Sequence, residues 1–376
     1  MAAVCGRGFW ASGRRVERQF DRGMRSWMMA MVMSRRHYSA SSLIEGPEAV
    51  NWYPGHMASA TRNIRGQIKS VDFILEIRDA RIPLSSANQE LQEVLNMKKR
   101  LIVLNKMDLA NPNMMLKWKE YFESVGQNHI FVNAHQSKTV KKMLEMVRTQ
   151  LQSVIAKEPT VLVMILGIPN VGKSCIINSM SNITRANFSV QEQPKRAKVG
   201  PLPGVTRHVA GFKIGERPST YVLDTPGVLV PNIENIETGM KLALTGAVKD
   251  TVIGEERLAR YLLSVLNARS AHLHWKSGFA KSNATTIDTL SGVRDLLASA
   301  CLKFDGSLEN KQDMESLVDV QMNLLRRFFH VPVELGEAGL ERVSQHLLEF
   351  YRKGRLGQFT LDIVPGKATN ILNVKL

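Results

Sequence analysis

Cysteine is scarce in this sequence: only Cys5, Cys175 and Cys301 occur among its 376 residues. Their spacing matches neither a metal-binding pair nor a disulfide framework, which fits a reducing compartment. The sequence also lacks any run of about eighteen consecutive apolar residues, and this excludes a transmembrane helix. Because 44% of the residues are hydrophobic, the chain can still bury a substantial core, so we expect a globular protein.

Acidic residues are outnumbered, with 34 Asp and Glu against 50 Lys and Arg, and the formal net charge is +16. The imbalance is strongest in residues 1–38, where Glu17 and Asp21 are the only acids and lysine is absent. The same stretch contains arginine at positions 7, 14, 15, 18, 22, 25, 35 and 36. This composition is typical of a mitochondrial transit peptide, and the stretch from Arg36 to Ala40 resembles a matrix-protease cleavage site. We expect residues 1–38 to be that leader; the alternative is a disordered basic arm that binds nucleic acid.

The rest of the chain is basic as well. The leader accounts for a net charge of +6, so residues 39–376 carry +10. Such an excess favours binding to RNA, through counterion release, or to an anionic membrane surface. We therefore expect an RNA-containing partner, with peripheral contact to the matrix side of the inner membrane as a second expectation.

The glycine-rich residues 167–174, Gly-Ile-Pro-Asn-Val-Gly-Lys-Ser, follow the apolar run 161–166 and precede a helix-like stretch. This order predicts a strand, a phosphate-binding P-loop and a helix. The loop's backbone N–H groups would turn inward toward phosphate oxygens at the helix N-terminus. Lys173 would reach the β- and γ-phosphates, and Ser174 would bind Mg²⁺. We expect nucleotide contacts from Asn170, Val171, Gly172, Lys173, Ser174 and Cys175; taken alone, the motif also fits an ordinary glycine-rich turn.

A second motif, Asn105-Lys106-Met107-Asp108, follows the apolar run 101–104 and has the form of a guanine-binding loop. Asp108 can accept hydrogen bonds from the ring N–H and the exocyclic amine of guanine, a pairing that adenine cannot supply. Asn105 and Lys106 would brace the base and the P-loop, whereas Met107 would act through its backbone. Ala134 follows another short strand pattern, and its N–H would contact the guanine O6.

A third motif, Asp224-Thr225-Pro226-Gly227, follows residues 221–223. Asp224 would hold Mg²⁺ through water, and the N–H of Gly227 would contact the γ-phosphate. Open α/β sheets place their ligand sites at the carboxyl ends of strands. Three such motifs, each on its own strand, therefore predict a GTPase that binds GTP and GDP together with Mg²⁺.

The order of these motifs is unusual. GTPases ordinarily present the P-loop before the guanine-binding motif, whereas here residues 105–108 precede residues 167–174. Two further segments accompany this order: residues 51–57, Asn-Trp-Tyr-Pro-Gly-His-Met, and residues 79–86, Asp-Ala-Arg-Ile-Pro-Leu-Ser-Ser. In these features the chain resembles the circularly permuted GTPases of the ribosome-biogenesis GTPase A type, from about Asn51 to Asp362.

The resemblance implies an α/β fold: a circularly permuted P-loop GTPase domain, with a mostly parallel sheet and helices on both faces, followed by an all-α C-terminal domain. We expect a leader at 1–38, a linker with the Pro-Gly-His-Met segment at 39–60 and the GTPase domain at 61–232. Residues 233–376 are expected to form a helical domain of roughly three to five helices that binds the ribosome or RNA.

Catalysis needs a group other than the usual one. Many GTPases orient the attacking water with a glutamine just after the Asp-x-x-Gly motif, but Val228 occupies that position. The resemblance implies that His56 takes this catalytic role; the alternative is an ordinary turn histidine. Thr206 is the second expected protein ligand of Mg²⁺, unless it only opens the next strand. Asn170 resembles the asparagine through which some GTPases hold K⁺, or it caps the turn.

Two basic spots lie in the helical region. Residues 271–283 contain His272 and His274, and here an RNA-facing loop is favoured over a metal site because further ligands are missing nearby. The run Arg352-Lys353-Gly354-Arg355 fits either an RNA contact or a solvated helix end.

The resemblance implies a monomeric assembly GTPase for the large subunit of the mitochondrial ribosome, located in the matrix. It would regulate ribosome assembly and mitochondrial translation, hydrolysing GTP slowly alone and faster on the ribosome. The alternative is a GTP-regulated peripheral inner-membrane factor that does not act on ribosomes. A third hypothesis is an RNA-binding module whose nucleotide site is inactive.

Overall fold

The computed structural model describes residues 55–187, 197, 210–216, 219–229, 233, 235–268 and 289–365. Within them a six-stranded sheet has the order β3-β2-β1-β4-β6-β5. Its strands are β1 Phe73–Asp79, β2 Arg100–Asn105, β3 His129–Phe131, β4 Thr160–Leu166, β5 Ala210–Glu216 and β6 Ser219–Asp224. Neighbouring strands are parallel except β5, which pairs antiparallel with β6. The strand that precedes the P-loop, β4, therefore lies in the middle of the sheet.

The central strands β2 and β4 contain the unbroken apolar runs 101–104 and 161–166 because both faces of the sheet are covered there. All seven residues of β1 are buried. Its alternate side chains enter different clusters: Phe73, Leu75 and Ile77 join the largest cluster, and Ile74 joins a second one on the opposite face. This alternation is what a strand with helices on both faces requires.

Five helices accompany the sheet in the part of the chain that the structure describes. They are α1 Gly55–Gln67, α2 Gln92–Asn96, α3 Pro112–Ser124, α4 Ser137–Ile155 and α5 Lys173–Asn187. The second of these, α2, has only five residues, and a 3₁₀ turn, Gln89–Leu91, precedes it. In α1, Ala60 and Ile64 lie four residues apart, and Ile68, in the 3₁₀ turn Ile68–Ser70 that follows the helix, continues this spacing; all three side chains are buried. That spacing aligns them along one apolar stripe that faces the sheet.

The C-terminal region is helical, as predicted. Its helices within the described residues are α6 Ile236–Leu244, α7 Asp250–Ile253, α8 Glu255–Ala268, α9 Thr289–Leu302, α10 Lys311–Phe328 and α11 Gly336–Arg352. The described part thus contains six helices rather than three to five. The shortest, α7, has four residues, too few to produce a readable hydrophobic period. No helix of the described ranges is long and apolar enough to cross a membrane.

Residues on the two sides of each predicted boundary of the GTPase domain pack together. The boundary between residues 60 and 61 falls inside α1, whose buried residues belong to the core. One hydrophobic cluster contains Val163 of β4, Leu258 of α8 and Val343 of α11. After α11, residues 358–362 return to loops at the edge of the sheet. The helical region is therefore joined to the nucleotide domain through a common core.

Candidate nucleotide-binding site

The three motifs predicted from the sequence meet at one edge of the sheet. The P-loop, residues 167–174, follows β4; residues 105–108 begin at the last residue of β2; and residues 224–227 begin at the last residue of β6. Because these strands are parallel, their carboxyl ends lie on the same side, where open α/β sheets bind ligands.

The backbone of the P-loop takes conformations that explain its residues. Asn170 has φ 60° and Gly172 has φ 92°, in the left-handed region that asparagine and glycine adopt most readily. A Cβ atom on Gly172 would lie 2.3 Å from Nδ2 of Asn105, so only glycine fits there. Helix α5 begins at Lys173, which directs its first N–H groups at the loop and provides an anion-binding geometry.

Lys173 and Ser174 are positioned for phosphate and metal chemistry. The Lys173 ammonium donates to the carbonyls of Gly167, at 3.0 Å, and Ile168, at 2.9 Å. Burial lowers the pKa of Lys173 to about 8, although the nearby Asp224 carboxylate opposes this shift. The Ser174 hydroxyl donates to Asp224 Oδ2 at 3.2 Å. Both groups offer hard oxygen ligands and lie within hydrogen-bond distance of each other, so the residues present fit Mg²⁺.

Asn105 joins the guanine-binding loop to its neighbours. Its Nδ2 donates to the carbonyl of Val171 at 2.8 Å, and its Oδ1 accepts from the N–H of Ala134 at 3.1 Å. The Met107 N–H donates to the Val132 carbonyl at 3.2 Å. The Asp108 side chain is exposed, so its carboxylate is accessible to a base lying against the loop.

Lys106 has a partner that the sequence interpretation missed. Its Nζ donates to the Asn170 carbonyl at 2.6 Å and pairs with Asp79 Oδ2 at 3.1 Å. Asp79 also accepts from Arg81, with Nη2 at 2.8 Å. Burial alone would raise the pKa of Asp79, but Arg81 and Lys106 outweigh it and hold that pKa well below its usual range. A signal was present, since Asp79 ends a buried strand at the edge where Asn105 ends the next one.

The loop after β6 contacts both the P-loop and α1. A Cβ atom on Gly227 would lie 2.6 Å from Cα of Pro169, so this glycine permits a close backbone approach to the P-loop. Val228 is buried in the cluster that contains Ala60 and Ile64 of α1, and its carbonyl accepts from Asn88 Nδ2 at 2.9 Å. The position that holds a glutamine in many GTPases is therefore packed against the helix that begins beside His56.

The structure describes three other predicted site residues to different extents. Cys175 is half-buried, and burial raises the pKa of its thiol. His56 is the second residue of α1, but its side chain is outside what the structure describes, and Thr206 lies outside the described residues altogether.

This arrangement defines a circularly permuted P-loop GTPase. The strand before the P-loop is fourth in the chain yet central in the sheet, and the strand before residues 105–108 comes earlier in the chain.

Comparison with known proteins identifies the family. A model described as "50S ribosome-binding GTPase" matches residues 162–289. Short integuments 2, mitochondrial, of Arabidopsis thaliana is 48% identical, covering 93% of this chain and 98% of that protein. Mitochondrial ribosome-associated GTPase 1 of Mus musculus is 36% identical, covering 91% of this chain and 99% of that protein. Ribosome biogenesis GTPase A of Priestia megaterium is 36% identical, covering 58% of this chain and 74% of that protein. The chain belongs to the family that contains mitochondrial ribosome-associated GTPase 1 and is a guanine-nucleotide-binding GTPase.

Proposed function

We propose that this GTPase acts in the mitochondrion as an assembly factor for the large ribosomal subunit and thereby regulates mitochondrial translation. The observation that carries the proposal is the nearly full-length similarity to proteins named mitochondrial ribosome-associated GTPase 1. The arginine-rich leader and the net charge of +10 on residues 39–376 support a matrix location and a partner rich in RNA. We propose a monomer of four parts: the leader 1–38, the linker with the Pro-Gly-His-Met segment 39–60, the permuted GTPase domain 61–232 and the helical ribosome-binding region 233–376.

The proposed nucleotide contacts follow from the bonds around the P-loop. Residues 170–175 hold the phosphates, and Asp108 reads guanine while Asn105, Lys106 and Met107 shape its loop. Ala134, whose N–H donates to Asn105 Oδ1, would share that N–H with the guanine O6, and Gly227 donates toward the γ-phosphate. Ser174 and Thr206 bind Mg²⁺, with Asp224 acting through water; the ion would neutralise phosphate charge when bound. Asn170, whose Nδ2 donates to the Gly246 carbonyl at 2.8 Å, is also the proposed contact for K⁺.

The same bond from Asn170 supports a nucleotide-gated partner surface. Gly246 follows α6, the first helix of the C-terminal region, so the P-loop touches that region directly. A change at the phosphates can therefore reach the helices without an intermediate domain. We propose that the GTP form binds the large subunit and that hydrolysis releases it.

Sedimentation tests this function. The chain without residues 1–38, loaded with a non-hydrolysable GTP analogue, is expected to co-migrate with the large mitochondrial subunit, and the GDP-loaded chain is expected to migrate free. The control is the Lys173→Ala variant, which lacks the phosphate-facing charge and should stay free with either nucleotide. Co-migration with inner-membrane vesicles alone would instead favour the peripheral-membrane alternative.

His56 is the proposed catalytic residue. Because Val228 cannot orient water, the free protein should hydrolyse GTP slowly, and the ribosome would order residues 51–57 over the nucleotide. His56→Ala is expected to keep nucleotide binding and ribosome association but to lose most of the stimulated turnover, by about a hundredfold or more, since general acid–base positioning contributes on that order. The measurement is single-turnover phosphate release with and without large subunits. Full stimulation in the variant would show that His56 is a turn residue.

A further inference from the structure

The chain after the last helix is bonded to the guanine-binding loop. Helix α11 ends at Arg352, and residues 358–362, which we name the strap, then run along two loops at the ligand edge of the sheet. Within the strap, Thr360, Leu361 and Asp362 are each at most 4% exposed. The strap is therefore an integral part of the packed structure.

One half of the strap binds the loop that follows β2. The Gln358 Nε2 donates to the main-chain carbonyl of Asp108 at 2.8 Å. The Phe359 N–H donates to the Leu109 carbonyl at 3.1 Å. The Thr360 hydroxyl accepts from the Asn111 N–H at 3.2 Å. Three consecutive strap residues thus bond to the loop that presents the proposed guanine reader.

The other half anchors the strap to the loop that follows β1. The Leu361 N–H donates to the Arg81 carbonyl at 2.7 Å. The Asp362 carboxylate accepts from the N–H groups of Leu84, at 2.9 Å, and Ser85, at 2.8 Å, and from the Ser85 hydroxyl at 2.6 Å. Charge-assisted bonds of this kind are among the strongest in proteins. Asp362 therefore fixes the end of the strap.

The guanine-binding loop needs such support. Lys106 has φ 60°, a backbone conformation that lysine rarely adopts, and Asp108 is exposed. The Met107 N–H is bonded to the distant Val132 carbonyl, but after it the N–H groups of Leu109 and Ala110 donate to Lys106 and Met107 within the turn itself. Reading guanine by hydrogen bonds requires Asp108 to be held at a defined place before the base arrives, because ordering it during binding would cost affinity.

We propose that the strap positions Asp108, so that selection of guanine depends on the C-terminal segment of the chain. Gln358 is a positioning residue that acts on the Asp108 backbone, and Asp362 anchors the strap. This inference rests on the proposed role of residues 105–108. It adds a specificity element that lies 250 residues along the chain from the carboxylate that it serves.

The test compares GDP with inosine diphosphate, which lacks the exocyclic amine that Asp108 accepts from. Equilibrium dissociation constants for both nucleotides are measured on the full chain by fluorescence titration, for the wild type and for the Gln358→Ala and Asp362→Asn variants. The ratio of the two constants is expected to shrink by about threefold to tenfold in each variant, the size of one net hydrogen bond. The matched controls, Gln152→Ala on α4 and Asp305→Asn, change exposed side chains and should keep the wild-type ratio.

The ratio distinguishes positioning from a general loss of structure. A variant that is only less stable binds both nucleotides less well and keeps the ratio, and this result, like unchanged binding, would overturn the proposal. Since Gln358 is exposed, its variant is expected to fold even if Asp362→Asn does not, and thermal unfolding checks this.

The Asp108→Asn variant distinguishes failure of the strap proposal from failure of the proposed role of residues 105–108. If it leaves the ratio intact, the assignment of residues 105–108 fails; if it abolishes the ratio and the strap variants do not change it, only the strap proposal fails.

Discussion

At the scale of single residues, the nucleotide loops depend on a buried ionic cluster formed by Asp79, Arg81 and Lys106. Asp79 and Arg81 are 1% and 2% exposed, and the Arg81 guanidinium lies over the Tyr351 ring of α11, 5.6 Å from its centroid. The charges of Asp79 and Arg81 are out of water and Lys106 is only partly exposed, so the two buried charges depend on their partners. Lys106 can reach the P-loop carbonyl of Asn170 because Asp79 neutralises it there.

The Asp79→Asn substitution tests this cluster. Removing the buried carboxylate leaves Arg81 and Lys106 without their partner, and we expect the free energy of unfolding to fall by about 3 kcal/mol at pH 7. The pKa of Asp79 is lowered in the folded chain, so its contribution is fully present above its unfolded pKa of about 4 and is lost progressively as the pH falls from there through the lower folded pKa.

The difference between wild type and Asp79→Asn should therefore narrow below about pH 4. Urea unfolding at pH 7, and at the lowest pH where both proteins remain folded, measures it. Asp305→Asn, an exposed control, should change stability by no more than about 0.5 kcal/mol. A difference that is independent of pH would show that Asp79 acts through packing and not through its charge.

At the scale of elements, α1 connects the segment around His56 to the loop after β6. Ile64 of α1 is 1% exposed and shares a cluster with Val228. The apolar residue that replaces the usual glutamine thus has a structural use, since it packs beneath the helix that carries the proposed catalytic histidine. Movement of residues 224–228 would be transmitted to α1 through this contact.

Ile64→Ala should expose that connection. Truncating a buried isoleucine leaves a cavity, so we expect a loss of about 2–4 kcal/mol in the free energy of unfolding. Asn63→Ala, which changes an exposed neighbour on the same helix, is the control and should be nearly neutral. Urea titration gives the stability. Near-equal effects of the two substitutions would mean that α1 is not held by this cluster.

At the scale of the whole molecule, Arg352 braces the helical region against the turn that contacts the P-loop. Its guanidinium donates to the carbonyls of Ala243 and Leu244, at the end of α6, and to both oxygens of Asp250. The sequence predicted either an RNA contact or a solvated helix end for the run that contains Arg352. In the structure, Arg352 instead bonds α11 to the end of α6 and to Asp250. The adjacent Lys353, the residue after α11, is exposed and pairs with Glu349 of that helix.

Arg352→Ala and Lys353→Ala form a matched pair. The first removes several charge-assisted bonds and should lower the unfolding free energy by about 2 kcal/mol. The second removes an exposed pair and should change stability by less than about 0.5 kcal/mol. Thermal and urea unfolding give both values. If the order is reversed, α11 is not held against α6 by Arg352.

Local sequence determined the elements of the nucleotide site. The strands before residues 105, 167 and 224 were readable because each is a contiguous apolar run, and the turns that follow contain glycine or polar residues whose conformational preferences are local. The permuted order is a property of the chain itself, so it needed no coordinates. The exact ends of α1 and α2 were less predictable, because caps and 3₁₀ turns differ little from helix in their pattern.

Only the tertiary structure decided what supports those loops. Asp79 meets Lys106, Asn88 meets Val228, and Gln358 meets Asp108. These contacts join residues that are 27, 140 and 250 positions apart in the sequence. No periodicity or turn preference specifies such pairs, because they depend on how helices and sheet pack once the apolar faces are buried. Short sequence motifs thus determine the chemical groups of the site, whereas the packing of the chain determines where the loops that carry those groups are held.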